Sequence, residues 1–174
     1  LSSFVGSWSP SFFGGEQVQS LEREMASYFG VKHAISVNSW TSGLICAVGA
    51  LGLEPGDEVI VPTWTMSATA TAILVWNCVP VFADIDPDTF CISIDSVMEL
   101  ITPRTRAIIA VDIFGQSADI EALRAICNQR NILLISDSAQ APNARRNNSF
   151  AGAASDIGGI RDRKSTRLNS SHLV

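Results

Sequence analysis

Apolar positions recur along this chain at two periods, one helical and one extended. Between residues 15 and 29 they keep a helical rhythm, with Val18, Leu21, Met25 and Phe29 on one face, and Gly30 is placed to end the helix in a left-handed turn. Residues 33–38 read as a strand and residues 41–51 as a helix closed by Gly52. The turn Glu54-Pro55-Gly56-Asp57 leads into a short apolar strand at 58–62. A helix over 66–76 then precedes a strand at 79–85, and Asp95 is positioned to cap a short helix reaching Ile101. The clearest unit comes next: a strand at 107–113, Ser117 as N-cap, a helix at 118–130, and a strand at 132–136. In that helix Ile120, Leu123 and Cys127 share a face, while Asp119 and Glu121 sit at the positive end of its dipole and Arg130 at the negative end.

Short continuous apolar strands alternating with helices predict an α/β fold, a mainly parallel sheet with helices on both faces. Such sheets take ligands at the carboxyl ends of their strands. The chain of 174 residues suffices for one domain, and 47% apolar against 17% charged residues suits a buried core rather than disorder. A net charge of −5 gives no footing for nucleic acid. No apolar run reaches the roughly 18 residues of a membrane span, and the start Leu1-Ser2-Ser3-Phe4 has neither a basic nor an apolar leader region. Cys46, Cys78, Cys91 and Cys127 are widely spaced, which predicts four buried, reduced thiols and a cytoplasmic protein. Charge is uneven: residues 1–160 carry eight Lys/Arg against sixteen Asp/Glu, whereas residues 161–174 carry four against one. The pattern predicts a join near Ile160.

Three strand ends carry possible chemistry, each with two readings. Ser39-Trp40-Thr41-Ser42-Gly43 bridges a strand and a helix; its hydroxyls and free N–H groups suit a phosphate, or Ser39 or Thr41 is simply an N-cap. Asp137 follows a buried strand, where a carboxylate either meets a cationic partner, such as a protonated pyridine nitrogen, or caps a following helix. Trp64 and Met66 either cover the face of a planar cofactor or belong to the core at a helix start.

Further segments carry a resemblance. They are Gly14-Gly15-Glu16, Tyr28-Phe29-Gly30-Val31-Lys32-His33-Ala34, Val37-Asn38-Ser39-x-Thr41 and Pro55-Gly56-Asp57-Glu58-Val59-Ile60-Val61-Pro62. Pro80-Val81-Phe82-x-Asp84-Ile85-Asp86, Ile101-Thr102-Pro103-Arg104-Thr105, Phe114-Gly115-Gln116 and Asp137-x-Ala139-Gln140-Ala141 continue it. In this order, over residues 13–160, the chain resembles the DegT/DnrJ/StrS family of pyridoxal-phosphate (PLP) aminotransferases acting on nucleotide-linked keto-sugars. The resemblance implies the large domain of fold-type I PLP-dependent transferases, present in part over 1–160, with the family's small C-terminal domain absent. It gives Asp137 as the catalytic partner of the pyridine nitrogen and Gln140 as the neighbour of the cofactor's phenolic oxygen. Ser39, Trp40 and Thr41 become the phosphate cup, and Met66 takes a position where many members stack an aromatic ring. Asn143 stands where a glycine is usual, and Asp112 where histidine is frequent.

After Asp156-Ile157-Gly158-Gly159-Ile160 the family pattern calls for a phosphate-binding serine and for the lysine that holds the cofactor covalently, at about Arg161 and Thr166. Residues 161–174 provide neither and read as translated vector or adapter sequence. Lys164 is close in count but lies in Arg-Asp-Arg-Lys-Ser-Thr, with no apolar strand to aim it. The expected activity is transfer of an amino group from an amino acid, glutamate first, to a nucleotide-linked keto-sugar, in a homodimeric parent protein. A PLP-dependent sugar dehydratase and a non-catalytic fragment stay open. The chain alone is expected to be inactive, with an unpaired sheet edge at the join.

Overall fold

The computed structural model describes residues 15–161 and 171–173. Helix α1 (Glu16–Phe29) ends in Gly30 at φ 68°, as the glycine signal predicts. Only Phe29 of its apolar face is buried, while Val18 and Leu21 are each 37% exposed. Strand β1 (Ile35–Val37) is shorter than its sequence pattern. Helix α2 (Trp40–Ala50), strand β2 (Glu58–Pro62), helix α3 (Ser67–Leu74) and strand β3 (Val79–Ala83) follow. Then come α4 (Ile94–Leu100), β4 (Thr105–Val111), α5 (Ile120–Arg130) and β5 (Leu133–Ser138). A small hairpin, β6 (Arg145–Arg146) with β7 (Ser149–Phe150), precedes β8 (Ile157–Arg161) and β9 (Ser171–Leu173).

Two caps differ from expectation. Ser93, not Asp95, caps α4 by accepting the Ser96 N–H, and Asp95 falls in the first turn. Asp119, not Ser117, caps α5 by accepting the Ala122 N–H. In each pair both side chains are competent, and the chain's path into the helix decides between them.

The main sheet has the order β1-β9-β8-β5-β4-β2-β3, with the run β8-β5-β4-β2-β3 parallel. Strand β9 is antiparallel to both β8 and β1. The edge of β8 is therefore paired, contrary to the open edge expected at the join, because residues 171–173 close it. The chain steps outward from β2 to β3, then back past β2 to β4 and on to β5. Right-handed crossovers in opposite directions put their helices on opposite faces. Accordingly Val59, Val61, Ile109 and Ile135 pack under α2 and α3 with Leu44, Val48 and Ile73. Ile60, Ile108 and Leu134 pack under α4 and α5 with Val97, Leu123 and Cys127. The reversal at β2 and β4 leaves a crevice at their carboxyl ends, where ligands of open α/β sheets bind. Among the described residues no helix is long and apolar enough to cross a membrane.

Of the four thiols Cys78, Cys91 and Cys127 are buried, but Cys46 is exposed, since its place on α2 faces away from the sheet.

Candidate active site

A cleft at that crevice is lined by Ser39, Trp40, Thr41, Thr65, Met66, Ala68, Val111, Asp137, Ala139, Gln140 and Arg161. Of the site residues expected from the sequence, Ser39, Trp40, Thr41, Met66, Asp137 and Gln140 are on its wall, and Trp64 is not. The lining residues arrive from the starts of α2 and α3, from the loop after β2, and from the ends of β4, β5 and β8.

The start of α2 answers its first choice in a mixed way. The Ser39 hydroxyl is the N-cap, accepting the Ser42 N–H at 3.2 Å and lying 3.0 Å from the Ser42 hydroxyl. Ser39 thus serves as the N-cap of α2. An α-helix leaves its first N–H groups without intrahelical acceptors. With that of Ser42 taken by Ser39, those of Trp40 and Thr41 remain, and both residues line the cleft. The dipole of α2 adds partial positive charge at the same point.

Asp137 differs from its expected place. It lies within β5, paired in register with Val111 and with Gly159, rather than after the strand. No helix follows that it could cap; its Oδ1 instead accepts the Ala139 N–H at 3.1 Å in a local turn. Alternation along β5 sends Asp137 to the α2/α3 face with Ile135, and Ser136 and Ser138 to the other face. Its carboxylate is 5% exposed, and among the described residues no ion pair reaches it. Burial raises its pKa from 3.8 to about 6, offset in part by hydrogen bonds from Ala139 and Trp40, while Asp112 nearby adds to the rise.

Asp112 sits on the opposite face, 1% exposed, and accepts from the hydroxyls of Ser136 and Ser138 and from the Ala118 N–H at 2.8 Å. Burial raises its pKa too. Its own backbone N–H donates to the Asp137 carbonyl. The aspartate that the sequence left without a role therefore braces the turn between β4 and α5 and the end of β5.

Trp64 and Met66 are not core residues: they are 52% and 63% exposed. Met66 lines the cleft, and Trp64 instead joins a surface row with Phe90 and Phe114, ring centroids 6.2 Å apart in each step. Gln140 is half-buried on the cleft wall. Asn143 adopts φ 68°, so the turn that usually holds glycine survives. Lys164 and Thr166 lie outside the described residues.

Residues 8–160 match the DegT/DnrJ/EryC1/StrS aminotransferase family over most of the chain. The chain belongs to this family. It is 42% identical over 148 residues to the UDP-N-acetyl-3-dehydro-alpha-D-glucosamine 3-aminotransferase of Acidithiobacillus ferrooxidans, covering 85% of this chain and 40% of that protein. The aminotransferase from Psychrobacter cryohalolentis superposes with a TM-score of 0.89 at 28% identity, over 94% of this chain and 42% of its own. The E. coli GDP-4-keto-6-deoxy-D-mannose-3-dehydratase, solved with bound hydrated PLP, superposes with a TM-score of 0.86 at 30% identity, over 95% and 45%. The chain thus spans about two fifths of the length of the family members it matches.

Proposed function

We propose that the cleft is the cofactor side of a PLP-dependent sugar aminotransferase, moving an amino group from an amino acid, glutamate first, to a nucleotide-linked keto-sugar. The observation that carries this reading is Asp137: a buried carboxylate with only neutral donors, at the carboxyl end of a central strand. Such a group calls for a cation, and a protonated pyridine nitrogen supplies one. The residues fit the cofactor at its other end as well, since the Trp40 and Thr41 N–H groups and the Thr41 hydroxyl suit its phosphate. Met66 would cover one face of the ring, and Gln140 would meet its phenolic oxygen. When bound, PLP provides an electron sink for the carbon that gains or loses the amino group. This chain's part is to orient the ring, hold its nitrogen protonated through Asp137, and neutralise the phosphate at α2.

The cleft measures ≈ 170 Å³, below the roughly 300–1,000 Å³ usual for ligand pockets. That size suits one wall of a site completed by residues beyond 8–160 or by a second subunit; a homodimeric parent is what the family resemblance implies. The covalent lysine belongs to that remainder, and residues 161–174 are a tail of different character that does not replace it. A sugar dehydratase is the second reading, favoured by the likeness to the E. coli enzyme; the two differ at the position beyond the match.

The test is calorimetric titration of the chain with pyridoxamine phosphate, which needs no lysine to bind. Thr41→Val should weaken binding roughly 10- to 100-fold, the effect of leaving a charged acceptor without its donor. Equal affinity would remove the phosphate cup from α2. Treating the chain with PLP and borohydride, followed by peptide mapping, should give no adduct at Lys164; a pyridoxyl-Lys164 adduct together with amino transfer would overturn the reading of the tail.

A further inference from the structure

The side chain of Trp40 plays no part in the phosphate cup, which uses its backbone alone. Yet it is 6% exposed, and its ring reaches across the sheet to Asp137, 97 residues away in sequence. The indole Nε1–H donates to Asp137 Oδ1 at 2.5 Å. The ring is held from two sides by glycines: a Cβ at Gly159 would come within 1.5 Å of it and one at Gly43 within 2.7 Å. A tryptophan for which two backbones leave room, and whose one polar atom meets a buried carboxylate, is placed for that contact.

Oδ1 also receives the Ala139 N–H, so both N–H bonds fall on one oxygen. These two N–H donors on Oδ1 fix the plane of the carboxylate, and neither takes Oδ2; the neutral Thr69 hydroxyl close to Asp137 is also engaged with the Thr65 hydroxyl at 2.8 Å. We infer that the Trp40 indole is a positioning residue for the Asp137 carboxylate, setting its orientation so that Oδ2 meets the ring nitrogen of the pyridine cofactor. The part concerning the cofactor rests on the function proposed above; the part concerning Trp40 and Asp137 does not. A neutral donor also favours the ionised carboxylate over its protonated form without satisfying its charge. That combination keeps Asp137 ready for a cation. The other charged groups about it are Asp112, directly after β4, and Arg161 at the end of β8, on the cleft wall; α2 and α3 contribute none.

The indole N–H makes the contact measurable. In ¹⁵N-labelled chain the four tryptophans give distinct indole signals, and Trp40→Phe, which keeps bulk and removes the donor, assigns that of Trp40. Between pH 4.5 and 8 this signal should move with a single transition that Asp137→Asn abolishes. In Trp40→Phe the Asp137 carboxyl ¹³C transition should shift to higher pH, and pyridoxamine phosphate should bind at least 10-fold more weakly. A Trp40 signal that ignores pH in the wild type overturns the inference whether or not the variant folds. So does a folded Trp40→Phe protein with an unshifted Asp137 transition and affinity within twofold of the wild type, since packing alone would then account for the ring. Failure of wild-type chain to bind pyridoxamine phosphate, with the indole still titrating, would refute the proposed cofactor and leave the Trp40–Asp137 pair standing.

Discussion

Replacing Asp137 by asparagine should stabilise the free chain at neutral pH. Burial raises the folded-state pKa from 3.8 to about 6, so between those values the folded state binds more protons than the unfolded one. Stability contributed by this group is complete below about pH 4, falls as pH rises through the window, and levels off above it. A displacement of about two pKa units corresponds to about 3 kcal/mol, an order-of-magnitude figure. Asparagine keeps an oxygen that can accept from Trp40 and Ala139 but carries no charge to desolvate. Urea denaturation of both proteins at pH 4, 5, 6 and 7.5 isolates the effect, because carboxylates remote from Asp137, such as Asp86, whose pKa is lowered mainly by its hydrogen bonds to Thr89, contribute equally to both, and the coupling to Asp112 is part of the effect measured. The difference in unfolding free energy, variant minus wild type, should grow by about 2–3 kcal/mol from pH 4 to 7.5. A difference that stays flat, or shrinks, would refute the account of Asp137 as a buried charge without a counter-ion.

Two further outcomes follow from packing and exposure. Gly159→Ala should destabilise the chain by about 1–3 kcal/mol or more, because its Cβ would enter the Trp40 ring and force it off Asp137; a thermal midpoint equal to that of the wild type would show that the ring does not rest there. With a thiol-reactive chromogenic disulfide, Cys46 alone should react at once, while Cys78, Cys91 and Cys127 stay protected until unfolding; burial pushes the Cys127 thiol up to about 11, and two or more fast thiols per chain would contradict the burial.

How far the sequence could be read depended on the range of the interaction. Strand β2 matches its expected bounds because an unbroken apolar run sits between a Pro-Gly turn and a polar loop. Gly30 and Gly52 mark helix ends because their backbones require positive φ, at 68° and 67°. The caps of α4 and α5 were less legible, since Ser93 and Asp95, or Ser117 and Asp119, compete within two residues. The open face of α1 was not legible at all: its apolar stripe has the right period, but only contact with the rest of the fold tells whether that stripe is covered. Ser39, Trp40, Thr41, Met66 and Asp137 could be named from strand ends, and Gln140 only from the family resemblance. Their mutual arrangement could not, because Trp40 and Asp137 meet across 97 residues and no local pattern marks the pair.

The features that weaken this part of the fold converge on the same spot. Glycines are poor strand formers, yet Gly158 and Gly159 occupy the middle of β8. Each is required by a close approach: a Cβ at Gly158 would fall 1.8 Å from the Gly152 carbonyl oxygen, and one at Gly159 would enter the Trp40 ring. A bulky residue starts α2, and a carboxylate is buried at the end of β5 without a counter-ion. Taken singly, each lowers stability; taken together, Gly159 makes the space, Trp40 fills it, and the indole N–H reaches the carboxylate. Local weaknesses that become consistent only around one charged atom are what a binding site leaves in a fold. The same reasoning assigns Asp112 to structure. Its carboxylate is equally buried, but hydroxyl and backbone donors from two elements already surround it. Of the two buried aspartates, only Asp137 still calls for a cation.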